Sequence, residues 1–342
     1  MPDVSPSIEQ WKALYAAALE FKQVAPWQWM WDSDVFGVQN PEGGETGYCC
    51  VMGGAGEHFA LGVYLGRGGL DGYWKLRTRR TMPSLEVMLQ QTCLMASFED
   101  RKFVEKQDRQ VMDALGLRFR GRNAWPVFRS YLAGYYPWFL TRQETLYLAL
   151  AFQQSLDVAL RFAKDPRLLA PTTRKRYLVR VPKKTDSGLA WHDEWLPPPP
   201  PVIETEAVAA PLDVRRAAAL VSSARTRTGV WEVDVMPTEE PVRDGDERPY
   251  YPSLILVVDR DSGFVFSAHI ARPDRCATEL PSHLLMAAEE YGALPEQVAV
   301  RRETVAKLLQ PTLAALGISL VQSRLLRSLQ SAQTSLFRFF KR

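Results

Sequence analysis

The sequence predicts two domains of the α/β (α+β) class joined by a proline-rich linker, and three observations support this assignment. The chain has 342 residues, which is enough for two separate hydrophobic cores. Helix-like and strand-like patterns of apolar residues alternate along it. Five consecutive prolines at residues 197–201 form a stiff, extended segment that cannot enter a helix interior or a central strand. We therefore predict a first domain at 1–196, a linker at 197–210 and a second domain at 211–342.

Composition and charge narrow the class of protein. Hydrophobic residues make up 46% of the chain and charged residues 24%, which is typical of soluble globular proteins. No run of about 18 uncharged apolar residues is present, so no membrane span is expected. The first ten residues lack the basic and apolar regions of a secretory signal, and a cytoplasmic location is therefore expected. The net charge of +3 is too small to indicate a nucleic-acid-binding protein by itself.

Cysteines and histidines form no metal-binding pattern in the sequence. The four cysteines include one adjacent pair but no CxxC motif, which favours reduced, buried thiols. The four histidines lie singly, and none has zinc-ligand spacing to another histidine or to a cysteine. We therefore expect neither a metal nor a cofactor. These residues are Cys49, Cys50, Cys93, Cys276, His58, His192, His269 and His283.

The first domain begins with a helix whose start is marked by Ser7 and Gln10, which have capping-box spacing. Strands at 47–53 and 58–66 follow, joined by a glycine-containing turn, and a short helix at 67–77 comes next. The remaining predicted elements are a strand at 94–100, a helix at 101–115 that ends at Gly116, a turn-rich aromatic segment at 117–141, a helix at 141–164, a strand at 176–182 and a closing segment at 191–195.

Basic and aromatic residues are interleaved in the segment 117–141. Such a pattern can bind single-stranded nucleic acid through base stacking and phosphate contacts. If 117–121 is a strand, its arginines point to one face, and that face is equally consistent with plain solvent-exposed surface. The residues of this candidate interface are Arg118, Arg120, Arg122, Trp125, Arg129 and Trp138.

Tryptophan is concentrated in the first domain, where nine of the ten tryptophans precede the linker. Large aromatic side chains usually fill a hydrophobic core. The alternative is a stacking or peptide-binding groove around Trp125 and Pro126 and around Pro137 and Trp138. Both interpretations remain open at the level of the sequence.

The second domain shows three consecutive strand patterns and then alternating helices and strands. A turn with the sequence RDSG separates the second strand from the third. The predicted strands lie at 229–235, 253–259, 264–271, 297–301 and 318–321, and helices follow the third, fourth and fifth of them.

Carboxylates in the first two of these strands are candidate catalytic residues. Glu232 and Asp234 share one face of their strand, and Asp259 ends the neighbouring strand. Two-metal phosphoryl transfer needs several acids around metal ions about 4 Å apart. Two interpretations are open: a metal site built from Glu232, Asp234 and Asp259, or a structural ion pair between Asp234 and Arg301 or Arg302.

The second domain resembles the catalytic core of an integrase or transposase of the retroviral integrase superfamily. The resemblance covers about 110 residues. It rests on the sequence WEVD at 231–234, on PYYP at 249–252 leading into LILVVDRDSGFV, and on the segment 294–321. The resemblance implies an RNase H-like mixed sheet with flanking helices.

The acids of that family are mostly missing from this chain. Asp234 matches one catalytic position of the family. Arg301 stands where a second metal-binding acid is expected, and Gln330 and Gln333 stand where a third is expected. The resemblance therefore implies the architecture and argues against the nuclease activity.

The whole chain also resembles a bacterial protein family of unknown function. This resemblance implies an architecture and no mechanism. The residues that carry it are 97–101, 124–126, 128–129, 134–135 and 137–138.

We predict a non-enzymatic binding or adaptor protein that contacts nucleic acid through its second domain. One alternative is a divergent metal-dependent nuclease with Asp234, Glu232 and Asp259 as its catalytic residues. Another is a protein- or peptide-interaction module formed by the Trp- and Pro-rich first domain. Arg301 and Arg302 are candidate binding residues in addition to those of the first domain.

A last helix is predicted at 323–341, and its apolar residues recur at helical spacing in one stripe. The stripe either packs on the sheet of its own domain, or its distal end binds an acidic partner, nucleic acid or a membrane surface. The stripe residues are Leu325, Leu326, Leu329, Leu336, Phe337 and Phe340.

Overall fold

The computed structural model describes most of the chain. The described residues are 5–78, 84–170, 176–186, 188–200, 214–223, 226–227 and 229–340, without the side chains of residues 339 and 340. The chain divides into two compact units, Met1–Val202 and Ile203–Arg342. This division falls within the predicted linker, of which residues 201–210 lie outside the described part. In the described residues no helix is long and apolar enough to cross a membrane.

The first unit is built on a seven-stranded sheet with the order β5-β4-β3-β2-β1-β6-β7. All neighbouring strands are antiparallel except β1 and β6, which are parallel. The strands are Phe36–Gln39 (β1), Thr46–Met52 (β2), Ala60–Leu65 (β3), Cys93–Glu99 (β4), Trp125–Tyr131 (β5), Tyr177–Thr185 (β6) and Gly188–Leu196 (β7).

Five helices accompany this sheet in the described residues. They are Ile8–Val24 (α1), Gly66–Arg77 (α2), Leu85–Met88 (α3), Lys106–Ala114 (α4) and Arg142–Lys164 (α5), with short 3-10 turns at Pro26–Gln28, Arg101–Phe103 and Pro166–Leu169. The predicted capping box at Ser7 and Gln10 is present, so α1 begins where the sequence indicates. Helix α5 begins with a second capping box formed by Thr141 and Glu144.

Both faces of the first sheet are covered. Helices α1 and α5 pack against each other, and their apolar faces join the sheet in a core that contains Phe21, Phe36 and Phe152. Helix α2 packs on β2 and β3, where a smaller cluster contains Tyr48 and Tyr64. Alternating strand residues therefore enter two different cores.

Two sequence predictions for the first unit are wrong. The segment 117–141, predicted to be turn-rich, contains the strand β5, while residues 117–121, for which a strand was one possibility, are irregular. The helix predicted at 101–115 is split into a 3-10 turn and α4. Strand β5 escapes a pattern search because five consecutive residues of it are buried, so it shows no polar–apolar alternation.

An ion-pair network holds the last two strands of the first unit to α5. Asp193 on β7 accepts hydrogen bonds from Arg161 of α5 at 2.6 Å and from Arg180 of β6 at 2.7 Å. Burial by itself would raise the pKa of Asp193, but the hydrogen bonds from the two arginines outweigh it and hold that pKa below its usual value. A depressed carboxyl pKa means that the charged form stabilises the folded state.

We expect this network to weaken at acid pH. Because the folded pKa of Asp193 is below its unfolded value of about 3.9, its contribution is fully present above that value and is lost as the pH falls through the folded pKa. The measurement is the free energy of unfolding of the wild type and of Asp193→Asn in urea between pH 7 and pH 3. The difference should stay constant at neutral pH and shrink below about pH 4.

Asp113→Asn is the control for the Asp193 prediction, because Asp113 pairs with Arg118 while both side chains are largely exposed. Its effect on the free energy of unfolding should stay within about 0.5 kcal/mol at every pH. The prediction would be contradicted if the wild type exceeded Asp193→Asn in free energy of unfolding by the same amount at pH 3 as at pH 7.

The second unit contains a five-stranded mixed sheet with the order β11-β10-β9-β13-β14. Strands β9, β10 and β11 are antiparallel neighbours, and β13 and β14 run parallel to β9. This order and these directions define an RNase H-like sheet. The strands are Val230–Pro237 (β9), Ser253–Asp259 (β10), Val265–Ala271 (β11), Gln297–Val300 (β13) and Ser319–Gln322 (β14), and Thr226–Arg227 (β8) pairs with Ala293–Leu294 (β12).

The helices of the second unit divide between the two faces of its sheet. They are Val214–Ser223 (α6), Cys276–Tyr291 (α7), Glu303–Leu316 (α8) and Arg327–Phe340 (α9). Residues of α6, α7 and α8 share a core with Trp231 and Val233 of β9. Helix α9 covers the opposite face, where Leu326 and Leu329 pack with Leu256 of β10.

The C-terminal stripe packs on its own sheet, with one correction. Leu326 and Leu329 are buried, and Leu336 and Phe337 are partly buried against the same cluster. Leu325 is 55% exposed, because α9 begins only at Arg327 and the helical spacing of the stripe does not extend to it. The Phe340 side chain lies outside the described residues.

The two leucines give a matched pair of substitutions. Leu329→Ala should lower the free energy of unfolding of the second unit by about 2–5 kcal/mol, because it leaves a cavity under α9. Leu325→Ala should change it by less than about 0.5 kcal/mol. Native-state hydrogen exchange of the β9 amides measures both effects, and equal protection in the two variants would contradict this packing.

Candidate functional site

Two buried carboxylates occupy the middle strand of the second sheet. Glu232 and Asp234 lie on β9, and their relative exposures are 2% and 1%. They pair across the sheet with Val258 and Leu256 of β10, so both point to the face that α9 covers. Burying a carboxylate is costly unless a positive or hydrogen-bonding group meets it.

Asp234 is met by two arginines. Arg301 and Arg302 directly follow β13, which runs parallel to β9 with Val300 opposite Val233. A guanidinium nitrogen of Arg301 lies 3.2 Å from one Asp234 oxygen, and Nε of Arg302 lies 3.4 Å from the other. The predicted ion pair is therefore confirmed, and both candidate arginines take part in it.

Glu232 is held by groups that the sequence did not reveal. Nε of Arg260 lies 3.2 Å from Oε1, and the backbone N–H of Leu329 donates to Oε2 at 3.0 Å. Leu329 lies in the first turn of α9, where unpaired N–H groups attract a negative charge. No residue type marks a backbone donor, so the sequence carries no signal for this contact.

Asp259 does not join the other two carboxylates. It lies opposite Trp231, whose side chain belongs to the core on the α7 and α8 face. Its Oδ2 accepts hydrogen bonds from the backbone N–H of Ser262 at 2.8 Å and from the Ser262 hydroxyl at 2.6 Å, which shapes the turn before β11. The metal site of Glu232, Asp234 and Asp259, which was one of the two open interpretations, is therefore not formed, because strand alternation places Asp259 on the other face.

The electrostatics of the carboxylate centre oppose a divalent cation. Three guanidinium groups, from Arg260, Arg301 and Arg302, face two carboxylates. Two-metal catalysis requires carboxylate oxygens that are free to bind the ions. Here the oxygens are engaged by positive groups and by a helix N-terminus.

The basic residues of the first unit are not brought together on a strand. Arg118, Arg120 and Arg122 are exposed on an irregular segment, and Arg118 pairs with Asp113 at 2.7 Å. Arg129 is buried, which corrects its assignment as a binding residue. It donates to both oxygens of Asp108 at 2.8 Å and to Glu105 at 2.9 Å.

The physical chemistry of Arg129 is that of a structural ion pair. Its guanidinium also lies over the Phe139 ring, 4.6 Å from the ring centroid. Burial by itself would lower the pKa of Arg129, but the carboxylates of Asp108 and Glu105 outweigh burial and raise that pKa. The charge of Arg129 is therefore balanced inside the first unit.

The two candidate aromatic residues of the first unit are half-buried. Trp125 lies on β5 and packs against Phe119 with ring centroids 5.7 Å apart. Trp138 forms an isolated antiparallel bridge with Ser130 of β5. Trp125 and most other tryptophans of this unit pack against the main core, and Trp31, at 60% exposure, is an exception.

Two protein-family models match the chain, and both describe domains of unknown function. Residues 11–180 match the Domain of unknown function (DUF7309), and residues 216–337 match the Domain of unknown function (DUF6930). No curated protein matches the chain. The matched ranges fall on either side of the division between the two units.

Similar solved structures include two forms of the HTLV-2 integrase catalytic core domain in complex with magnesium. The dimeric form is 17% identical with a TM-score of 0.25 and covers 32% of this chain and 68% of that chain. The trimeric form is 18% identical with a TM-score of 0.26 and covers 34% and 74%.

A third similar structure is a simian T-cell lymphotropic virus intasome in complex with PP2A regulatory subunit B56 gamma. It is 21% identical with a TM-score of 0.25 and covers 33% of this chain and 41% of that chain. The RNase H-like assignment rests on the strand order and directions of the second unit itself.

A second group of titratable side chains lies on the opposite face of the second sheet. His269 of β11 and His283 of α7 stack with ring centroids 3.7 Å apart, and Nε2 of His269 lies 3.0 Å from Glu279. Two histidines that lie singly in the sequence are therefore neighbours in the fold. The two histidines are 14 positions apart across a strand–helix connection, which no zinc-ligand spacing covers.

Removing both arginines from Asp234 should destabilise the second unit. We expect Arg301→Ala combined with Arg302→Ala to lower the free energy of unfolding by about 3–5 kcal/mol, because a buried carboxylate loses both guanidinium groups. Arg301→Ala alone should cost less, since Arg302 remains. Urea unfolding of the purified chain measures these effects.

Asp234→Asn in the double-variant background tests the cause of this destabilisation. Removing the buried charge should recover a substantial part of the loss, because the neutral amide costs less to bury. Arg324→Ala is the control, since Arg324 is exposed at the end of the neighbouring strand β14. A loss of similar size in the control, or no recovery on adding Asp234→Asn, would contradict the ion-pair account.

Proposed function

We propose that this chain is a non-enzymatic binding or adaptor protein whose second unit uses an RNase H-like sheet as a scaffold. One observation carries the proposal. The two buried carboxylates of β9 are bound by arginines and by the start of α9. A nuclease centre of the two-metal kind needs those oxygens for its ions.

The same arrangement supports a polyanion as the ligand. Three guanidinium groups contact two carboxylates in this centre, so positive groups outnumber negative ones among these five side chains. The Arg301 and Arg260 side chains are 39% and 37% exposed, respectively. A guanidinium that is partly exposed can also donate to a phosphate oxygen.

A further exposed arginine extends this positive surface. Arg324 follows β14, and the backbone N–H of Ser323 donates to the carbonyl of Val300 at 2.9 Å. Arg301 directly follows Val300, so Arg301 and Arg324 lie at the same edge of the sheet. We propose the phosphate backbone of a nucleic acid as the ligand of this edge.

The absence of nuclease activity is tested first. Purified protein should leave labelled single- and double-stranded DNA and RNA intact in the presence of Mg²⁺ or Mn²⁺. Cleavage that is abolished by Asp234→Ala would overturn the proposal and favour the divergent nuclease with Asp234, Glu232 and Asp259.

Nucleic-acid binding is tested by fluorescence anisotropy over a range of salt concentrations. Arg324→Glu should weaken binding and reduce the slope of log affinity against log salt by about 1, because a phosphate contact is lost. Arg120→Glu, on the exposed irregular segment of the first unit, should leave the affinity unchanged. An effect of Arg120→Glu alone would instead favour the basic segment of the first unit.

The protein- or peptide-interaction module of the first unit stays a prediction. Its basis is the pair of half-buried tryptophans, Trp125 and Trp138. If the protein binds neither DNA nor RNA at low salt, in single- or double-stranded form, the proposal of a polyanion ligand is contradicted. A protein partner is then the remaining interpretation. The bacterial origin and the cytoplasmic location expected from the sequence likewise stay predictions.

A further inference from the structure

We propose that His269, Glu279 and His283 form a binding site for a divalent first-row transition-metal ion of the zinc type. Each residue offers a ligand atom, and these atoms all lie within 4.8 Å of one another. The site lies on the face of the second sheet that α7 covers, away from the carboxylate centre of β9. It is therefore independent of the proposed nucleic-acid-binding edge.

The elements of the fold bring the three ligands together. Glu279 and His283 are four residues apart on α7, so both side chains project from the same side of this helix. His269 lies on β11, opposite Ile255 of β10, and points to the face on which α7 packs. The strand and the helix thus approach the same point from two directions.

The distances are close to those of a coordinated ion. Bond lengths of about 2.0–2.1 Å place the ligand atoms of a tetrahedral zinc ion about 3.3 Å apart. The atoms of this group lie within 4.8 Å, and one pair, His269 Nε2 and a Glu279 oxygen, is already 3.0 Å apart. Imidazole lone pairs lie in the ring planes, and the two rings are stacked at 23°, so coordination of one ion by both histidines requires at least one ring to rotate.

The chemistry of the ligand set selects the class of metal. Two imidazoles and one carboxylate suit zinc, cobalt, nickel or copper ions, whereas Mg²⁺ and Ca²⁺ prefer sites made of oxygen ligands. Three protein ligands leave a coordination position for water or an external ligand. His269 and Glu279 are partly exposed, at 36% and 29%, so an ion has access from solvent.

A hydrogen-bonded pair between His269 and Glu279 does not explain the whole group. His283 stacks on His269 with an interplanar angle of 23°. Among the described residues no hydrogen-bond partner is found for the His283 ring, so its nitrogens remain able to bind an ion. A shared metal ion would use all three side chains.

A bound ion would join the edge strand β11 to α7. Among the described residues, strand β11 has one neighbour in the sheet, β10, and it also contacts α7. An ion that binds the folded state and not the unfolded state stabilises the fold. Metal binding should therefore raise the melting temperature of the second unit.

The test uses the full chain without an affinity tag, after treatment with a chelator. Isothermal titration with Zn²⁺ and absorption spectroscopy with Co²⁺ should each give one ion per chain. His269→Ala, His283→Ala and Glu279→Gln should each weaken binding at least about tenfold, since even the loss of a residue that hydrogen-bonds a metal ligand costs that much. His192→Ala is the matched control, because His192 pairs with the exposed Glu194 at 2.7 Å.

Two further measurements keep the test decisive. Circular dichroism and melting without metal establish that the variants fold, and the isosteric Glu279→Gln preserves the shape of the site. The Co²⁺ complex of the wild type should show two paramagnetically shifted imidazole resonances, which depends on no variant. The proposal would be overturned if less than one ion bound per chain, or if His192→Ala lost as much affinity as the site variants. It would also be overturned if the Co²⁺ complex showed no shifted imidazole resonances.

Discussion

The burial of two carboxylates in the middle strand of the second sheet is the constraint on which much of that unit depends. Glu232 and Asp234 would be costly to bury without positive partners. The residues that follow two neighbouring strands supply these partners: Arg260 after β10, and Arg301 with Arg302 after β13. The start of α9 is also fixed by one of the carboxylates. The two charges of β9 are thus met by groups at the ends of β10 and β13 and at the start of α9.

An RNase H-like sheet and the chemistry often associated with it are separable in physical terms. The sheet requires five strands in a certain order and direction, which the apolar residues of the two cores provide. Metal-dependent chemistry requires carboxylate oxygens that converge and remain available. Here two acids point to one face and a third points to the other. This chain forms the sheet, and three guanidinium groups contact the two carboxylates of its middle strand.

The sequence predicts those features that depend on nearby residues. Strand and helix patterns locate β9, β10 and α8. The pairing of Asp234 with Arg301 or Arg302 is predicted from the strand order that the resemblance to an integrase core implies, because the residues lie far apart in the chain. The sequence does not predict β5, because five consecutive buried residues of this strand show no alternation of polar and apolar side chains. It also does not predict the hydrogen bond from Leu329 to Glu232, because the donor is a backbone N–H group. The histidine group is also hidden, because its residues meet only after a strand and a helix have packed.

The hydrogen bond between Glu232 and the first turn of α9 has a consequence for the order of folding. Ninety-seven residues separate its two partners. Closing so long a loop costs conformational entropy before any contact compensates for it, so such contacts usually form late. Until α9 docks, the charge of Glu232 remains next to an uncovered apolar face that contains Leu256. A carboxylate in that position keeps the unfinished sheet hydrated and disfavours premature association with another chain through that face.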